Sequence, residues 1–156
     1  MKQKVKNLSI ENARITYKNF SGAASQFNKE GDRNFAVVLD QDLALQLQAE
    51  GWNVKFPKPD ERWENPEEDP RTPTLPVEVS YKAIPPKVIV INGEGGVKTR
   101  LGEAEVGTLD WAQIERIDLV INPYLWEVNG KSGIKAYLGA IYVTIVSDPF
   151  VERYGI

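Results

Sequence analysis

Neither cysteine nor histidine occurs among the 156 residues, and the two absences close the common routes to hydrolysis and nucleophilic catalysis. Without thiols there is no disulfide, no thiolate metal site and no cysteine nucleophile, which fits a reducing, cytoplasmic setting. Without imidazole there is no Ser-His-Asp triad, no histidine base and no His-ligated zinc. No run approaches twenty apolar residues, so no membrane span is expected. The start, MKQKVKNLSIENARI, is basic but has no apolar stretch, which reads as a mobile basic arm and not as a signal peptide. A carboxylate metal site is the main catalytic possibility left, and Asp110, Asp118 and Glu127 are its candidates. Nothing in their spacing forces them together, and solvated strand carboxylates are the plainer reading. The sequence is therefore expected to encode a protein without cofactor, metal or enzymatic activity.

The charge balance is weakly acidic, with 19 Lys and Arg against 22 Asp and Glu. A net charge of −3 argues at first against a polyanionic partner. The acids, however, are bunched. Asp60, Glu61, Glu64, Glu67, Glu68 and Asp69 fall within ten residues that contain Arg62 alone as a base. Setting that segment aside leaves 18 bases against 16 acids. From Ala13 to Lys29 there are three bases and no acid. Phosphate docks according to local sign, so the net value decides little.

What is present reads as many short strands with one small helix. The length fits a single domain, 1–156, with a sizeable core. Residues 8–20 predict a first strand, with Ile15 and Tyr17 on one face and Arg14, Thr16 and Lys18 on the other. A Gly/Ser/Asn-rich loop, 19–31, carries Phe20 and Phe27. Arg33 to Leu39 predicts a second strand, with Phe35, Val37 and Leu39 inward. Asp40 is placed to cap a helix over 41–50, and Gly51 to end it in a left-handed conformation. Trp52, Val54 and Phe56 alternate as a short third strand with Lys55 outward. Residues 57–76 hold six prolines, a density that predicts an extended acidic loop, with Trp63 pinning it to the body. This loop reads either as a solvated linker or as an internal acidic decoy that competes for a basic face. Strands follow at 77–82, 87–91 and 97–101. A helical turn is predicted at Thr108–Ile114, with Trp111 packed inward, and the apolar end from Phe150 is expected to dock.

The most informative stretch is 118–147, in which two β-branched arms are joined by Asn129-Gly130, a dipeptide suited to a tight hairpin turn. Along the second arm Ile134, Ala136 and Leu138 alternate, and then Ile141, Val143 and Ile145 alternate in the opposite phase. A β-bulge at Gly139 restores all six to one side. Lys135, Tyr137, Tyr142 and Thr144 are left on the other. A long, bent hairpin of this kind suits a small closed barrel.

Basic and aromatic residues recur together in three places: Arg14, Lys18 and Phe20; Phe27, Lys29 and Arg33; and Trp126, Lys131, Lys135 and Tyr137. Flat rings beside cations, on two loops and two strand faces, are what a single-stranded nucleic acid requires. The competing reading is that these aromatics tuck under the domain or cover a second apolar layer. Gly130-Lys131-Ser132 resembles the end of a phosphate-binding loop, but Leu125 stands where the first glycine is needed and no helix follows.

Two segments, NARITYKNFSG…FNKEGDRNFAVVLD and DWAQIERIDLVINPYLWEVNGKSGIKAYLGAIYVTI, resemble a family of small bacteriophage single-stranded DNA-binding proteins. The resemblance covers most of the chain outside 57–74. It implies an OB-like antiparallel β-barrel that coats exposed DNA strands during phage replication or recombination, in the host cytoplasm. Replication or recombination proteins, and further copies of the chain, are its expected partners. Many phage proteins of this function end in a flexible acidic tail, whereas DPFVERYGI holds only Asp148 and Glu152 as acids. The alternative is a protein-binding module, a phage inhibitor of a host factor or a virion component, that uses the aromatic loop and the acidic loop as contacts.

Overall fold

The longest strands form where the apolar alternation is longest. In the computed structural model, which describes residues 5–26, 28–58, 61–62, 64–65, 71–82, 84–93 and 96–146, β7 (Ile114–Val128) and β8 (Lys131–Ile145) make an antiparallel hairpin. Asn129 and Gly130 turn it with φ of 51° and 79°, the paired positive values that a two-residue turn needs to match strand twist. Val120 faces Ala140 but Ile121 faces Leu138, so Gly139 is the extra residue and the expected bulge is present. A Cβ at Gly139 would stand 2.7 Å from Asn122 Oδ1, so a side chain there would have to push Asn122 aside. Ile134, Ala136, Leu138, Ile141 and Val143 are all buried as a result, and Ile145 packs against them.

Strand β8 is the hub. On one edge it pairs with β7, and on the other it pairs in parallel first with β4 (Thr74–Val79) and then with β5 (Lys87–Asn92). Strand β5 carries β6 (Val97–Leu101). Strand β4 carries β3 (Arg33–Val38) and then β2 (Ile15–Asn19), while β1 (Leu8–Ile10) lies outside β7. The main path is thus β1-β7-β8-β4-β3-β2 in an eight-stranded sheet.

Three expectations are corrected here. The sheet is not closed into a barrel by a ladder, and its two contacts along β8's second edge are parallel. The first strand is two strands broken at Asn12, whose φ is 49° and whose backbone N–H donates to Asp118 Oδ1 at 2.8 Å. Because β1 and β2 end the path yet are consecutive in the chain, the sheet curls back on itself through that connection. Finally, β4 begins at Thr74 and includes Pro76. Proline is tolerated there because pairing with β8 starts only at Val77.

The helix α1 (Gln41–Glu50) is capped as expected: Asp40 Oδ1 accepts from the Leu43 N–H at 2.7 Å, and Gly51 has φ 105°. Ala44 and Leu47 are buried, with Leu43 against the same core. Residues 52–56 form no strand, only bridges from Trp52 to Ile134 and from Lys55 to Thr74. Trp52 is nonetheless buried and Lys55 exposed. The helical turn is a 3₁₀ segment, Val106–Asp110. Val106 and Leu109 fill its buried positions, so Trp111, expected inside, stands 87% exposed. Phe27, Trp63, most of the acidic stretch and the end from 147 lie outside the described residues. Among the described residues no helix is long and apolar enough to cross a membrane.

Candidate nucleic-acid interface

The inner faces of β3, β4, β8 and β7 fill the core, and their outer faces lie side by side. Register sets Asn34, Glu78, Tyr137 and Asn122 abreast in one row. Toward the hairpin tip Tyr124 pairs with Lys135 and Trp126 with Gly133. The Trp126 indole crosses Gly133 so closely that a Cβ there would come 2.8 Å from the ring. A bare glycine is what lets the indole lie flat. Tyr124 and Tyr137 meet edge to face at 5.9 Å, and the Lys135 ammonium stands 5.2 Å from the Tyr137 ring centre. Lys135 also forms an ion pair with Glu78. The hydrogen bond to Glu78 is the main cause that raises its pKa above the usual lysine value, so the ammonium stays charged.

Two hollows run along this face. One, of about 590 Å³, is lined by Lys135, Trp126, Glu78 and Trp52, whose buried indole N–H has no partner among the described residues. The other, of about 760 Å³, is lined by Arg14, Lys55, Arg71, Tyr17 and Phe56, with no acid among the described residues of its lining. Asn34 and Pro76 line both, so the hollows adjoin as one groove, with Arg14, Lys55 and Arg71 toward one end and Lys135 beside Asp32 and Glu78 toward the other.

Tyr17 is the residue simple alternation misplaces. The β2–β3 register shifts between Thr16 and Asn19, Tyr17 takes φ 52°, and its ring is 79% exposed. The same shift turns Phe20 inward. Phe20 is fully buried, stacked on Phe35 at 5.2 Å, and offers no surface to a base. Its N–H and that of Ser21 donate to the Asp110 carboxylate at 2.7 and 3.1 Å.

Of the other sequence-selected residues, Arg14, Trp126, Lys135 and Tyr137 lie on this outer face or line its groove, and Lys131 lies exposed on the same side of the hairpin, opposite Val128. Lys18 is held elsewhere, its Nζ donating to the Leu109 carbonyl at 3.3 Å. Arg33 is paired with Glu103 at 3.2 Å and stacked over Tyr81 at 5.6 Å. Lys29 is exposed in the loop before β3 and lines neither hollow. The groove adds Tyr17, Lys55, Phe56 and Arg71, and the outer face beside it adds Tyr124. Tyr124 was within reach of sequence reasoning, since a two-residue turn at Asn129-Gly130 fixes its pairing with Lys135. Lys55 and Arg71 carried no such signal. The candidate metal carboxylates do not meet: Asp110 is tied to the Phe20 backbone, Asp118 to Asn12 and Arg116, and Glu127 lies near the hairpin turn.

A curled sheet with a groove of cations and flat rings on one face is the layout of an oligonucleotide-binding domain. The profile of a family described as "Putative phage ssDNA-binding domain" matches residues 1–156, and the chain belongs to that family. No curated protein matches the sequence. Among solved structures, the single-stranded DNA-binding protein from bacteriophage Enc34 is similar in fold. In its complex with ssDNA it has TM-score 0.53 and 14% identity, covering 96% of each chain. Its C-terminally truncated form has TM-score 0.53 and 13% identity, covering 96% of this chain and 95% of that one.

Proposed function

We propose that the protein binds single-stranded DNA, with little sequence preference, along the groove on the outer face of β3, β4, β8 and β7. The observation that carries the reading is the junction of the two hollows at Asn34 and Pro76. It gives a continuous path from Arg14, Tyr17, Lys55 and Arg71 to Lys135, Tyr137 and Trp126. Cations along such a path neutralise phosphates and release counterions, while rings stack on bases of any identity. Exposed rings stack on bases that are unpaired, which favours a single strand over a duplex, and family membership favours nucleic acid over a protein partner. In this reading the protein acts without catalysis, as a single domain in the host cytoplasm, covering strands exposed by phage replication or recombination.

The test is a titration of fluorescent oligo-dT and of a duplex at two salt concentrations. Single-strand affinity is expected to fall with a log–log salt slope of roughly −0.7 per phosphate contacted. Lys55→Ala should flatten that slope by about one contact, and Tyr137→Ala should weaken binding and leave the slope alone. Equal affinity for duplex, or no effect of either substitution, would overturn the assignment.

A further inference from the structure

Past the Gly139 bulge the outer face of β8 continues onto a strip that the groove does not include. Four strands lie abreast there. Lys98 of β6, Ile91 of β5, Thr144 of β8 and Arg116 of β7 form one row, and Arg100, Ile89, Tyr142 and Asp118 form the next. Lys87, Ala140 and Val120 make a third. The alternate residues of the same strands, Val88, Ile141 and Val143, are buried, so these rows face outward. The strip holds four bases and one acid. That acid, Asp118, is already engaged by Arg116 at 3.2 Å and by the Asn12 N–H at 2.8 Å. Lys98 and Arg100 are exposed, and neither enters an ion pair found among the described residues. Lys87 stands 5.6 Å from the centre of the Tyr142 ring. This repeats on the far side of the bulge the arrangement of Lys135 and Tyr137 at 5.2 Å.

We propose that this strip, Lys87, Lys98, Arg100 and Tyr142, is a second single-stranded DNA subsite, reached by the strand that leaves the groove past Tyr137. The proposal rests on the reading of the groove given above. Charge decides the class of ligand: exposed cations that enter no ion pair among the described residues, beside a ring, suit a polyanion that also carries flat bases. Continuity decides which polyanion. Tyr137 and Tyr142 lie about 15 Å apart along one strand, a gap that roughly four to five nucleotides bridge at the ~3.4 Å spacing of stacked bases.

The experiment compares oligo-dT of about 6 and about 20 nucleotides, spanning the site sizes of single domains of this kind, on wild type, Lys98→Ala/Arg100→Ala and Tyr142→Ala. Melting curves check that each variant is folded, and Lys98→Glu/Arg100→Glu serves as a second charge variant. The double variant is expected to bind the short strand as wild type does. On the long strand it should lose about tenfold in affinity, with the salt slope smaller by about 1.4, two contacts at ~0.7 each. Tyr142→Ala should weaken only the long strand and keep its slope. Unchanged long-strand affinity and slope in both charge variants would overturn the subsite, as would equal losses on both lengths. If wild type bound neither length, the groove reading itself would fail and the strip with it. An acidic peptide that binds wild type but not the double variant, with DNA binding unaltered, would give the strip to a protein partner and overturn the proposal.

Discussion

Tyr17 adopts a left-handed backbone, φ 52°, at a cost of about 1–2 kcal/mol for a residue with a side chain, and its ring projects almost wholly into solvent. Strain held at an exposed aromatic that lines the same hollow as Arg14 and Lys55 supports the proposed contact with DNA. Asparagine tolerates this backbone better than tyrosine. Tyr17→Asn should therefore leave the melting temperature unchanged or slightly higher while weakening oligo-dT binding roughly 5- to 150-fold, the equivalent of about 1–3 kcal/mol for a stacked base. A second residue-scale prediction concerns Glu78. Its carboxylate occupies the Lys135 ammonium in the free protein, where a phosphate would otherwise sit. Glu78→Gln should tighten single-strand binding by up to about fivefold, in line with a surface ion pair of about 0.2–1 kcal/mol. Lys135 has a raised pKa, so the pair's contribution to folding is complete below the ordinary lysine value of about 10.4 and is lost as pH climbs through the higher folded value. A thermal-melt series should show no change from this pair at neutral pH. Single residues were the least legible part of the sequence. Whether Tyr17 or Phe20 faces solvent depends on one register shift in a five-residue strand, and no residue type announces it. Lys55 and Arg71 reach the groove only because Lys55 bridges to Thr74.

Elements were easier to read where the determinant is local. The caps of α1 and the Asn129-Gly130 turn are chemical requirements of particular backbone angles, so Asp40, Gly51 and the turn appear where expected. The bulge was legible because the apolar phase changes at Gly139 and side-chain alternation admits no other repair. Deleting Gly139 is the sharp test. Without it, Ile141, Val143 and Ile145 point outward whenever Ile134, Ala136 and Leu138 point in. The deletion should abolish the cooperative thermal transition, whereas Gly139→Ala, which only crowds Asn122, should cost about 1–3 kcal/mol in a denaturant titration. The segment Trp52–Phe56 shows the limit of such reasoning: its alternation correctly gave Trp52 in and Lys55 out, yet it pairs only through isolated bridges.

At the scale of the whole molecule, the sign of the net charge misleads and its distribution informs. The hollow at Arg14 is lined by Arg14, Lys55 and Arg71, that at Lys135 holds Lys135 with Asp32 and Glu78, and in the sequence six acids are gathered into the ten residues 60–69. The mainly β class was legible from many short strands. The parallel contacts of β4 and β5 with β8 were not, because pairing between segments fifty residues apart leaves no periodicity to read. Those contacts set the order in which the molecule can be made. As the chain leaves the ribosome, seven strands emerge before the strand that three of them pair with, and until then β4, β5 and β7 have an unsatisfied edge. A fragment ending at Gly130 should therefore show no cooperative unfolding, and the full chain should refold in the millisecond-to-second range of sheets built from distant pairings, measurable by stopped-flow tryptophan fluorescence. Assembly waits for the last strand, so a nascent chain stalled before it has its apolar edges to shield by other means.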